Sequence, residues 1–288
     1  MKRSLADVLE RVRNDSTSGA SEILVSALRD LRDQVAGANE LDREDLKMFA
    51  LSLHRSKPAM APIFNLSNSI LCLIEDSPRE KIPTTVLLSL FTKMLRDEEA
   101  ANHSIAELAD RQIDASRIIT ISYSSTVLSA LKAMRKERKL SITVAESRPG
   151  GEGRRTAKII SSCGVKTELV PDSLVPSRAK DAEAALVGAD AVTTEGVVNK
   201  VGTYALALAA MDHEVPAYVL CSWSKLCPMV VEDLGSVERR LGRNLLKSSQ
   251  VFECTPLDYF HRFVTDRGVL RPMDVRLKLK EYRKALAW

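Results

Sequence analysis

An acid, an amide and an ammonium group follow one another in the stretch Gly188-Ala-Asp190-Ala-Val-Thr-Thr-Glu-Gly196-Val-Val-Asn199-Lys200-Val-Gly202-Thr203. A carboxylate can carry a proton, and an amide beside an ammonium group can hold an anion. The apolar run Ala184-Ala-Leu-Val187 before it reads as a buried strand, and Thr203 to Met211 after it as a helix. Strand, polar loop and helix form the unit that sets reactive groups at the carboxyl end of a parallel sheet. Each residue also has a purely structural use. Asp190 could cap its turn, and Ser122-Tyr123-Ser124 could cap the helix that follows it. Lys200, read at a helix start, stands where the helix dipole disfavours a cation, which speaks for an anion nearby.

Two kinds of pattern must position these groups. Up to about residue 115 the apolar residues recur at helical spacing: Leu5, Val8, Leu9 and Val12, then Ile23, Leu24, Ala27, Leu28 and Leu31, then Leu46, Phe49, Ala50 and Leu53. Two further helices are read at Val86 to Ala101 and Ser104 to Ile113, completing an antiparallel bundle. From Arg117 the pattern changes to short β-branched strands alternating with helices. Ile118–Ile121, Leu140–Ala145, Val165–Val170, Ala184–Val187 and a final Ala217–Cys221 are the strands. Thr126 to Arg138, Thr156 to Cys163 and a short piece near Ser177 to Ala182 are helices between them. Such alternation implies a parallel sheet covered on both faces. The expected fold is therefore α/β, a helical bundle over 1–115 followed by a Rossmann-like parallel sheet over 116–288. Phe252 to Pro256 and Thr265 to Pro272 read as irregular segments packing back on the sheet, and the basic tail from Arg271 as a solvated helix.

Composition bounds the function. A charge of +4 over 288 residues is too small to imply a nucleic-acid partner. No apolar run approaches membrane-spanning length and no apolar leader core follows Met1, so a soluble, cytoplasmic protein is expected. The cysteines Cys72, Cys163, Cys221, Cys227 and Cys254 are widely spaced with no C-x-x-C pair, and the histidines are dispersed. Neither a zinc site nor a disulfide framework is expected. No G-x-G-x-x-G follows the first strand, so no nucleotide cofactor is expected either.

The strand ends carry a recognisable series: Thr120-Ile-Ser-Tyr-Ser-Ser, Ala145-Glu-Ser-Arg-Pro149, Gly188-Ala-Asp190, Asn199-Lys-Val-Gly-Thr203, Ser224-Lys225, Phe252-Glu-Cys-Thr-Pro256 and Thr265 to Pro272. Together they resemble the initiation factor 2B alpha/beta/delta superfamily, which also holds methylthioribose-1-phosphate isomerase and ribose-1,5-bisphosphate isomerase. Asp15-Ser-Thr-Ser-Gly-Ala20 and Ser56-Lys-Pro-Ala59 resemble two of its N-terminal signatures. The resemblance implies an N-terminal helical domain, a C-terminal Rossmann-like domain, and a homodimer or higher assembly through the latter.

It also implies which residues would serve an isomerase. The enzymes move a proton between neighbouring carbons of a ring-opened sugar phosphate. They use a cysteine after the first strand and the aspartate of Gly-Ala-Asp. Asp190 matches the acid, but Ser122 stands in the place of the cysteine, and a hydroxyl without a neighbouring base is a far weaker proton carrier. Cys163, read as mid-helix, is no substitute. The phosphate ligands are thinned in the same way. Ser18-Gly19-Ala20 replaces an Arg-Gly-Ala, Lys57-Pro58 replaces an Arg-Pro, and Glu152 stands where a glutamine is expected. Arg148, Asn199 and Lys200 remain as ligand-binding candidates, with Lys225. In the regulatory subunits a small residue, an aromatic and a serine also occupy the turn at Ser122. The expectation is a regulatory or assembly module with a residual pocket for a phosphorylated small molecule. The other reading is an aldose–ketose isomerase with Asp190 as proton donor.

Overall fold

The computed structural model describes all residues except 1, 2, 16, 243, 244 and 286, together with the side chains of Arg3 and Ser4. Ser16 of the N-terminal signature lies outside the described residues. The first half holds α1 (Arg3–Asn14), α2 (Ala20–Val35), β1 (Glu40–Asp42), α3 (Arg43–Ser56), α4 (Ala61–Asp76), β2 (Lys81–Pro83) and α5 (Thr84–Gln112). The three apolar stripes read from the sequence are all buried, around Phe49 and Phe91. Asp42 caps α3 by accepting the amide hydrogens of Glu44 and Asp45.

This half is not helical throughout. β1 and β2 pair antiparallel, Leu41 opposite Ile82, and clip the start of α3 to the start of α5. The two helices expected between Val86 and Ile113 are one, α5. No proline or glycine interrupts it, and Glu98, which breaks the apolar pattern, is buried at 3% exposure for a reason given below.

The second half runs β3 (Arg117–Thr120), α6 (Ser125–Met134), β4 (Ser141–Ala145), α7 (Gly153–Ser162), β5 (Lys166–Val170), α8 (Val175–Ala179) and β6 (Ala184–Val187). It continues with β7 (Ala191–Val192), β8 (Val197–Lys200), α9 (Thr203–Asp212) and β9 (Ala217–Leu220). It ends with β10 (Val237–Gly242), β11 (Leu245–Ser249), β12 (Phe252–Thr255), β13 (Arg262–Thr265), β14 (Gly268–Leu270) and α10 (Pro272–Lys280). The main sheet has the order β14-β13-β9-β6-β3-β4-β5 and is parallel except for β14. From β3 the chain winds outward through β4 and β5, then returns to β6 on its other side. The crevice between the ends of β3 and β6 is the switch point at which ligands of such sheets bind.

Three expectations for this half are corrected. Ala217–Leu220 is not the last strand, because β13 adds beside β9 in parallel, Phe263 opposite Val219. The segment read as irregular at Phe252 forms β12, which pairs with β8 in a separate antiparallel sheet, Glu253 opposite Asn199. The C-terminal tail is not merely solvated. Val275 and Leu279 of α10 are buried, and the chain then returns to the helical half. There Tyr282 donates its hydroxyl hydrogen to Asn65 Oδ1, the Ala285 amide donates to Asn68 Oδ1 at 2.8 Å, and the Trp288 ring lies 5.0 Å from that of Phe64. No helix among the described residues is long and apolar enough to cross a membrane.

Candidate functional site

A cavity of about 290 Å3 opens at the switch point. Ser18, Gly19 and Lys57 reach it from the helical half, Ser122, Glu152, Asp190 and Lys200 from the strand ends. A smaller chamber of about 40 Å3 adjoins it, lined by Ala20, Ser122, Asp190, Asn199 and Lys225. Of the catalytic and ligand-binding candidates read from sequence, Arg148 alone lines neither space.

Asp190 follows β6 through Gly188, whose missing side chain matters. A Cβ there would meet Ser124 Oγ at 2.6 Å, so only glycine lets β6 end this close to the turn after β3. The Ala61 amide of α4 donates to the Asp190 carbonyl at 2.9 Å, fixing the loop against the helical half. Burial pushes the Asp190 carboxyl above the ordinary range, opposed by Lys225, by a hydrogen bond from the Ala20 amide and by Lys200. Lys225 is displaced the other way: burial lowers it, while Asp190 and Glu98 raise it. Glu98 of α5 explains its own burial here, accepting from Ser222 Oγ at 3.1 Å and Ser224 Oγ at 2.8 Å beside Lys225. Local sequence gives no sign of this partner, because it lies in the other half of the chain.

The raised Asp190 carboxyl has a consequence for stability. A folded-state pKa above the unfolded value favours the fold while the group is protonated, and that contribution is lost as pH rises through the folded value. Asp190→Asn carries no such loss. Chemical unfolding of the variant and the wild type should therefore diverge in the variant's favour as pH rises from about 4 toward neutrality.

Ser122 sits just past β3 in left-handed backbone, φ 66°. Its amide donates to Ser147 Oγ at 2.7 Å and its carbonyl accepts from Thr156 Oγ1 at 2.7 Å. Those bonds hold the backbone; among the described residues none joins the Ser122 hydroxyl to a carboxylate, imidazole or ammonium group. The cap for α6 comes instead from Ser124, which accepts the Val127 amide at 3.3 Å. Tyr123 between them donates its hydroxyl to Glu22 Oε1 at 2.8 Å under the Arg155 guanidinium. Burial and that bond push its pKa up to about 12.

Lys200 is not at a helix start. It closes β8, and Gly202, in left-handed backbone, separates the strand from α9. The anion expected near it belongs to the chain itself: Glu152 Oε1 lies 2.9 Å from its ammonium nitrogen, and Pro149 O accepts a second hydrogen. Asn199 is likewise turned inward, donating to Thr203 Oγ1 at 3.0 Å. Arg148 is exposed and its guanidinium faces Glu146, Nε to Oε2 3.6 Å. Its loop is tied down through the amides of Ser147 and Arg148, both donating to Asp172. Cys163 is the residue that ends α7, partly exposed, and lines neither space.

In the helical half, Asp15 accepts the amides of Thr17 at 3.0 Å and Ser18 at 2.9 Å, and so shapes the loop before α2. Burial opposes its ionisation, but these bonds outweigh it and the carboxyl lies below the usual value. Lys57 donates to the Asp15 carbonyl at 2.5 Å, and burial lowers its pKa against the pull of Asp15. Asp233, Gly235 and Val251, which no local pattern announced, add to the wall beside Phe252. Among the described residues no group of three or more His, Cys, Asp or Glu is placed to hold a metal ion.

The fold and the sequence as a whole have known counterparts. A Pyrococcus furiosus protein named eIF-2B subunit 2-like is 31% identical over 281 residues, covering 94% of this chain and 98% of that protein. The ribose 1,5-bisphosphate isomerase of Archaeoglobus fulgidus is 26% identical over 92% of this chain and 89% of its own length. The crystal structure of the Pyrococcus horikoshii translation initiation factor eIF-2B superposes with a TM-score of 0.77 at 28% identity, over 94% of this chain and 98% of that one. The sequence pattern of the initiation factor 2 subunit family matches residues 16–272, and the chain belongs to that family.

Proposed function

We propose that this chain is a non-catalytic member of its family, a regulatory or assembly module that keeps a small-molecule cavity at the switch point. The observation that carries the reading is Ser122. It occupies the turn where the resemblance to the isomerases requires a proton carrier, and among the described residues its hydroxyl is hydrogen-bonded to no carboxylate or imidazole, the bonds of this residue being made by its backbone. The two halves of the cavity support a ligand site, since Lys57, Ser18 and Gly19 face Asp190 and Lys200 across it. Assembly through the second half is supported by exposed apolar side chains on α9, Tyr204, Leu208 and Met211, which lie at helical spacing on one face.

A second reading, an aldose–ketose isomerase, is favoured by one feature. Burial raises the Asp190 carboxyl, as suits a general acid, and Asp190 and Ser122 line the same two spaces. Turnover separates the two. Ribose-1,5-bisphosphate and methylthioribose 1-phosphate are offered to wild type and to Asp190→Asn, and the expected result is that neither protein isomerises either sugar. Turnover near or above about 1 per second, the low end for ordinary enzymes, present in wild type and lost in the variant, would establish the isomerase instead.

A further inference from the structure

The Lys200 side chain is only 4% exposed, and two of its three ammonium hydrogens are bonded within the chain, to Pro149 O and to Glu152 Oε1. Glu152 is held at this position by the loop before α7, where Gly150 and Gly151 both take positive φ. Its second carboxylate oxygen, Oε2, is buried and accepts nothing. Acceptors therefore outnumber donors at this end of the cavity. An arriving phosphate oxygen would meet a carboxylate and one unbonded N–H, whereas an arriving O–H or N–H would meet the carboxylate of a side chain that is 34% exposed and lines the cavity.

The other place where an anion could settle, the start of α2, is also occupied from within. The Ala20 amide donates to the Asp190 carboxylate, and the Gly19 amide to Glu22 Oε2 at 3.2 Å. Around the cavity Asp15, Glu152, Asp190 and Asp233 stand against Lys57 and Lys200. Lys57 is the cation left for a ligand, since among the described residues it forms no ion pair.

We infer that Glu152 sets the charge class of the ligand. The cavity takes a molecule with a hydroxyl or amino donor for the Glu152 carboxylate and no more than one phosphate, seated near Lys57, and it rejects a second phosphate beside Lys200. The inference rests on the cavity being a ligand site, as proposed above, and specifies what that site selects.

Calorimetric titration at neutral pH tests it, with ribose 5-phosphate and ribose 1,5-bisphosphate as probes on the full chain. Wild type should bind the monophosphate at least tenfold more tightly than the bisphosphate. Glu152→Gln, which keeps an amide oxygen for Lys200 but removes the charge, should tighten the bisphosphate at least tenfold. The double variant Glu152→Gln/Lys200→Met should lose that gain, because the freed ammonium group provides it. If Glu152→Gln fails to fold, the order of the two sugars on wild type decides alone. Bisphosphate binding to wild type as tight as that of the monophosphate overturns the inference and leaves the ligand site standing. So does a folded Glu152→Gln with no gain. Absence of binding by both sugars to wild type and to folded Glu152→Gln overturns the inference and the ligand site together.

Discussion

Glu152→Ala is expected to cost about 3–5 kcal/mol of folding stability, the range for removing one partner of a buried ion pair. Lys200→Met is expected to cost clearly less. The asymmetry follows from where the two charges sit. The Lys200 side chain is 4% exposed and that of Glu152 is 34% exposed. Without Glu152, a buried ammonium group keeps one carbonyl bond and no hydrogen-bonded carboxylate, with Asp190 acting on it only through space. Without Lys200, the carboxylate can turn toward water from its place at the edge of the cavity. Methionine also fills most of the volume that the lysine stem leaves, so little packing is lost. Urea unfolding of the two variants beside wild type measures both values. Equal costs, or the reverse order, would show that the pair is not desolvated in the way its exposure implies.

Gly153→Ala is expected to destabilise by about 3 kcal/mol or more, at or beyond the upper end for overpacking. A Cβ on Gly153 would lie 1.7 Å from the carbonyl oxygen of Ala145, 2.9 Å from its carbonyl carbon and 3.1 Å from Ser147 Oγ. The obstacle is the backbone of β4, which cannot rotate aside as a side chain can. The first turn of α7 must lift from the sheet, and Glu152, the residue before it, must move with it. The same unfolding measurement therefore pairs with a second: the ligand order described above should be lost in Gly153→Ala even where the variant remains folded. Ala in place of Gly37, around which a Cβ meets nothing within 4 Å, serves as the control with little effect.

Much of the fold could be read directly because its elements are local. The strand Ala184–Val187 is an uninterrupted apolar run, and the structure gives it those bounds. The helical stripes of the first half are legible for the same reason, as each buries its own face. What could not be read depends on partners far along the chain. Val197 to Lys200 is a strand because Phe252 to Thr255 lies beside it, so a segment that alone looks like a polar turn becomes the middle of a three-stranded sheet. That change moves Lys200 from a helix start to a strand end and replaces an external anion by Glu152. The site shows the same division. Asp190, Lys57 and Ser122 converge because strand ends and the loops facing them must meet at a switch point. Arg148 does not join them, since spacing says nothing about which way an exposed loop turns its side chain. Glu98 and Asp233 stayed hidden, one inside an apolar helix pattern and the other in a stretch with no pattern.

The unbroken α5 has a mechanical consequence. It contributes Phe91 and Leu95 to one core and Ala101, Ile105 and Ala109 to the other, so a single rod is clamped at both ends. Bending one of these cores against the other would have to kink this helix, and no proline or glycine within it offers a place to do so. The side wall of the cavity between Asp233 and Val251 carries β10 and β11, which are hydrogen-bonded in a sheet of their own.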